Sequence, residues 1–103
     1  MSRTLIVPAA TPYAEALLLS GEKSVENDMI KIVEILDEIE PLEDYFTSPK
    51  VDAITKKNFT KKIFEKQISN FSLNFLLLLI DRRRINILPD IIEKYLELRN
   101  NEC

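Results

Sequence analysis

An all-α fold is predicted by three features: a near absence of glycine, apolar residues recurring at helical spacing, and one segment that is apolar at six successive positions. One glycine in 103 residues leaves almost none for the turns and bulges of a sheet protein. The five prolines, at 8, 12, 41, 49 and 89, fall where the periodic pattern breaks. Phe75 to Ile80 is apolar throughout, and a helix of that kind is wetted on almost no side. The expected architecture is a single compact bundle of about six short helices around a hydrophobic central helix at about residues 70–83.

Met1 to Ala10 reads as an N-terminal arm and 11–101 as the helical domain. Thr11-Pro12 reads as an N-cap followed by proline at the first helical position, opening a helix to about Ser20 with Gly21 at its C-cap. Ser24 opens a second helix, Val25 to Ile39, in which Met29, Ile30, Val33, Leu36 and Ile39 form the apolar stripe. Pro41 ends it. Leu42 to Phe46 reads as a short helix or turn that dips Leu42, Tyr45 and Phe46 into the core, and Ser48-Pro49 breaks the chain again. Asp52 caps a fourth helix, about Ala53 to Glu65, with Phe59 and Ile63 on one stripe flanked by Lys56 and Lys62. Ser69 or Asn70 opens the fifth, ending near Asp81 to Arg83, where cations suit the helix dipole. The last helix runs from Leu88 to Asn100 with Pro89 in its first turn. Its stripe is Leu88, Ile91, Ile92, Tyr95 and Leu96, and Asp90 and Lys94 stand at i,i+4.

Composition narrows the function. A 46% apolar, 30% charged chain of this length can bury roughly 60–65% of its unfolded surface. Its net charge of −3 and pI near 5.0 argue against nucleic acid as the main partner. The apolar run is far shorter than the ~20 residues a membrane span needs, so no direct membrane insertion is expected. There is no histidine, and the one cysteine is Cys103 at the end of the chain. With one glycine there is no phosphate-cradling loop, and without His or Cys clusters there is no expected metal site. The carboxylates sit on polar helix faces. No catalytic residue, cofactor or metal is therefore expected, and the chain reads as a non-catalytic protein.

Four signals remain, each with a bland rival. Arg82-Arg83-Arg84 is either a site for phosphate or an acidic partner, or a solvated helix end. Lysines between 50 and 66 oppose an acidic stretch from Glu34 to Asp44, a dipolar pattern that steers a partner or simply aids solubility. Tyr13 and its neighbours are core or surface. Helices one and five are apolar on more than one side, and a groove between them would accept an amphipathic helix.

In order along the chain, Pro12-Tyr13-Ala14-Glu15-Ala16-Leu17, Phe46-Thr47-Ser48-Pro49, Leu73-Asn74-Phe75-Leu76, Leu79-Ile80-Asp81, Arg83-Arg84-Ile85 and Ile91 to Arg99 carry a resemblance. The chain resembles the delta subunit of F-type ATP synthase, the family of the mitochondrial oligomycin-sensitivity subunit, in the manner of its cyanobacterial and plastid members. The resemblance implies a six-helix N-terminal domain at the top of F1, holding the N-terminal helix of an alpha subunit. It implies a groove built from Tyr13, Ala14 and Leu17 on the first helix and Phe75, Leu78 and Leu79 on the fifth. It also implies a stator connector linked to b-type subunits of the peripheral stalk through a C-terminal domain, which is expected to be absent from this chain. The expected place is peripheral to an energy-coupling membrane, on the stromal side of a plastid thylakoid or the cytoplasmic side in a bacterium. The rival readings are a free-standing helical adaptor for another amphipathic helix and a nucleic-acid binder using Lys56–Lys66 and Arg82–Arg84.

Overall fold

The structure, a computed structural model, describes residues 7–38 and 42–100; of Leu42, Glu43 and Thr47 it describes the backbone alone. The described residues form six α-helices and no strand: α1 Ala10–Leu19, α2 Val25–Glu38, α3 Leu42–Thr47, α4 Ala53–Phe64, α5 Asn70–Asp81 and α6 Leu88–Asn100, with a 3-10 turn at Ile85–Ile87. The expectations placed on Ile39, Pro41 and Cys103 lie outside the described residues, as does most of the arm. The helices group into two compact units, one of residues 1–23 and 87–103, the other of residues 24–86.

In the first unit α1 packs on α6. Helix α1 begins at Ala10, two residues before the predicted start, and so takes in the last residue assigned to the arm. The reason is a backbone turn. The Ala10 N–H donates to the Val7 carbonyl at 2.9 Å and the Thr11 N–H to that of Pro8 at 3.2 Å. These bonds satisfy the first orphan donors, so no side-chain cap is needed, and Ala9 provides none. Pro12 then falls in the first turn, where its missing N–H costs nothing. The turn is tied down from far along the chain: the Val7 N–H donates to Asp90 Oδ2 at 3.0 Å. Asp90 is buried, and Lys94, its expected partner, instead reaches Glu97 Oε1 at 2.8 Å. Ala10, Ala14 and Leu17 form the buried stripe of α1; Leu88, Ile91, Ile92 and Tyr95 are its counterparts on α6. Leu96, expected among them, is half-buried. Gly21 follows the Ser20 C-cap with φ +73°, the left-handed geometry for which a glycine was expected there.

In the second unit α5 packs against α4 and α2. The buried stripe of α2 is Val25, Asp28, Met29 and Ile32. That is a correction: Ile30 and Val33, assigned to the core, are exposed. The apolar residues of α2 form a broad stripe, and Asp28 bonds on one edge of it. Its Oδ2 accepts the Ser69 N–H at 3.3 Å, the Ser69 hydroxyl at 2.6 Å and the Ser72 hydroxyl at 2.7 Å. A carboxylate thereby sits at the positive N-terminal end of α5. Phe46 of α3 is buried as expected, and the Tyr45 ring lies tilted at 56° to that of Phe59 on α4, with centroids 4.6 Å apart. The deepest residues of α4 are Thr60 and Phe64, whereas Phe59 and Ile63 are half-buried. Thr60 can face inward because its hydroxyl donates to the Lys56 carbonyl one turn back at 2.8 Å.

Two of the three caps expected in this unit, those of Asp52 and Ser69, form. Asp52 Oδ1 accepts the Thr55 N–H at 2.8 Å, and the Ser69 hydroxyl accepts that of Ser72 at 3.3 Å. The bonds from Thr55 hold the Asp52 carboxyl below its ordinary value of 3.8. Because the folded pKa is the lower one, the cap's contribution is present above 3.8 and is lost as pH falls through the folded value. The expected result is that the melting-temperature difference between wild type and Asp52→Ala, present near about pH 6, narrows as the pH falls below the ordinary carboxyl value. Thermal melts monitored by circular dichroism across that range check it.

Helix α5 ends in a Schellman motif. The Arg84 N–H donates to the Leu79 carbonyl at 2.8 Å and the Arg83 N–H to that of Ile80 at 3.1 Å. The position that glycine usually fills is held by Arg83, with φ +58°. A side chain there costs on the order of 1 kcal/mol.

Candidate functional site

Helix α5 presents two unlike faces because its N-terminus is locked by Asp28 and its C-terminus by the Schellman bonds. Ser72, Leu73, Phe75, Leu76, Leu79 and Ile80 point inward. Asn70, Asn74, Leu78 and Asp81 lie on the outer face, with Phe71 and Leu77 half-buried at its margins. Leu78 is 40% exposed amid polar neighbours. The outer face is thus a mostly polar strip with one large apolar side chain in it, the form of a contact residue rather than of core.

Of the six residues assigned to a partner-helix groove, Phe75 and Leu79 lie inside their unit's α5 face, and Leu78 lies out. On α1, Ala14 and Leu17 are buried, and Tyr13 is half-buried and engaged in a polar or ring contact. The most exposed large apolar side chain of α1 is Leu19, 83% exposed, which the spacing did not single out. Ile54, in the first turn of α4, is 69% exposed and was likewise missed. The signal available for Leu19 was its place beside Ser20 and Gly21, where a helix ending leaves little to cover a side chain.

Among the described residues no three of His, Cys, Asp or Glu gather as a metal site, no helix is long and apolar enough to cross a membrane, and no buried side-chain polar atom lacks a hydrogen bond. Apolar side chains projecting from polar strips can bind a complementary surface by burial; that is what the arrangement can do.

The profile of the ATP synthase delta (OSCP) subunit family matches residues 9–102. The chain is 42% identical over 94 residues to ATP synthase subunit delta, chloroplastic, of Gracilaria tenuistipitata var. liui, a match covering 86% of this chain and 51% of that protein. It is 38% identical over 104 residues to ATP synthase subunit delta, cyanelle, of Cyanophora paradoxa, covering 95% and 56%. With ATP synthase subunit delta of Prochlorococcus marinus (strain MIT 9301) it shares 37% identity over 99 residues, covering 91% and 55%. The chain spans about half the length of the curated relatives it matches. No solved structure matches it. On the strength of a profile match that runs over almost the whole sequence, the chain belongs to the ATP synthase delta (OSCP) subunit family.

Proposed function

We propose that this chain serves as a non-catalytic stator connector of F-type ATP synthase, holding the N-terminal helix of an alpha subunit at the top of F1. The observation that carries the reading is the family match over residues 9–102. The relatives are about twice as long as the segment they share with this chain, which leaves room in them for a second domain; in this reading the link to b-type subunits of the peripheral stalk runs through such a domain. The protein then acts at the periphery of an energy-coupling membrane, a thylakoid for plastid relatives.

A connector resists torque by staying bound, not by reacting. Binding comes from apolar surface removed from water, about 25 cal/mol per Å2, less the cost of ordering the partner. Leu78 is the residue of the assigned set that stands ready for such burial, and Tyr13 can add the part of its ring that is exposed.

Leu78→Glu tests this. Isothermal titration with a peptide of the alpha subunit's N-terminal helix is expected to show binding to wild type and a loss of at least about tenfold in the variant. Burying a carboxylate against an apolar helix costs well over the 1.4 kcal/mol which that factor represents. Circular dichroism should show unchanged helicity, since Leu78 is on the outer face. Undiminished affinity in the variant would sink the role given to Leu78.

A further inference from the structure

Two oppositely charged stretches of the chain take no part in the connector reading. Glu34 to Asp44 holds six carboxylates and no lysine or arginine, and residues 50–66 hold six lysines against Asp52 and Glu65. In the second unit they become flanks of two helices. On α2, Ile30 and Val33 are 42% and 36% exposed, and Glu34, Asp37 and Glu38 follow at exposed positions. On α4, Ile54 is 69% exposed, and Lys61 and Lys62 are exposed two turns further on. Among the described residues, none of Asp37, Glu38, Lys61 and Lys62 makes an ion pair. Lys31 lies about 120° round α2 from Asp37. Glu65, at the C-cap of α4, is followed by Lys66.

The two flanks match in spacing as well as in sign. Ile30 and Asp37 are seven residues apart on α2, and Ile54 and Lys61 are seven apart on α4. Each pair shares a face and is separated by about 10.5 Å along its axis. Glu38 and Lys62 repeat the match one residue on. Laid side by side in parallel, α2 of one copy and α4 of another set Ile30 against Ile54, and Asp37 and Glu38 against Lys61 and Lys62. The end of α2 supplies an independent argument. Its last turn has no basic residue, so its carboxylates stand at the negative pole of the helix. That placement is unfavourable within one chain and is relieved when lysines of another approach.

We propose that a second copy of this chain covers the exposed flank of α2 with its own flank of α4, a head-to-tail contact. Ile30, Val33 and Ile54 form the apolar centre, and the carboxylate–lysine pairs form the rim. A second copy is favoured over a different partner because the face that complements α2 in sign and spacing is on the chain itself. Three aliphatic side chains and exposed ion pairs make a contact smaller than the roughly 1,200 Å2 of stable complexes, so association depends on concentration and is screened by salt. The contact uses neither Leu78 nor α1, so it and the connector reading stand or fall separately.

Sedimentation equilibrium of the full chain tests this, with reductant present so that Cys103 cannot cross-link copies. In about 20 mM salt the weight-average mass is expected to rise above 12.0 kDa with concentration, and in about 0.5 M salt to return to it. Asp37→Lys/Glu38→Lys and Lys61→Glu/Lys62→Glu, all at exposed positions, are each expected to self-associate at least tenfold more weakly. An equimolar mixture of the two variants is expected to associate as wild type does, because the reversed faces complement each other. Glu22→Lys, an exposed charge change in the first unit, is expected to leave association unchanged, which separates the contact from an effect of net charge. A wild type that stays at 12.0 kDa up to about 1 mM in low salt overturns the proposal. So does a mixture of the reversed variants that stays monomeric, or a loss in Glu22→Lys equal to theirs.

Discussion

Leu79→Ala is expected to lose about 3–4 kcal/mol of stability, whereas Leu78→Ala, one position away, should lose less than about 1. Leu79 is fully buried and Leu78 is 40% exposed. Truncating Leu79 removes the transfer free energy of its side chain and leaves a cavity in the face that α5 turns inward. Truncating Leu78 removes carbon atoms already partly in water. For a domain of this length the first loss corresponds to roughly 15–25 °C in melting temperature and the second to no more than a few degrees. Peptide binding should move the other way: Leu78→Ala weakens it, while any folded Leu79→Ala retains it. Thermal melts and titrations on both variants check the pair. Equal destabilisation would mean that α5 is rotated from the orientation described.

Asp28→Ala is expected to cost about 2–4 kcal/mol and to loosen α2 from α5. One carboxylate oxygen accepts three donors from the start of α5, all of them far along the chain from Asp28. Its removal leaves the Ser72 hydroxyl, fully buried, without that acceptor, and unpaired buried groups carry their whole desolvation cost. It also removes a negative charge from the N-terminus of α5. Asp28→Asn should recover at least half of the loss, because an amide oxygen placed where Oδ2 stands accepts the same donors. Urea unfolding of the three proteins measures this. Equal losses for the alanine and asparagine variants would show that charge, and not the hydrogen bonds, holds the helices.

Asp28 also marks where sequence reasoning stopped. Helix limits set by local bonds were legible: Asp52 and Ser69 are three residues from the N–H groups they cap, and Pro89 falls in a first turn as its chemistry requires. The start of α1 was not, because the turn at Val7 is held by Asp90, 83 residues away. The face of α2 was not, because Ile30 and Val33 make as good a stripe as Met29 and Ile32 until Asp28 selects one of them by reaching Ser69 and Ser72. Thr60 in the core was hidden for a similar reason, since its polarity is cancelled by a bond to its own helix.

By itself the sequence determined that the chain is helical, where most helices begin and end, and which family its ordered motifs resemble. Those depend on propensity, capping and residue identity, all of which act within a few positions. Only the tertiary structure decided which of four consecutive leucines faces water. The run Leu76 to Leu79 has no internal asymmetry, so its orientation comes from bonds and packing made by residues distant in the chain.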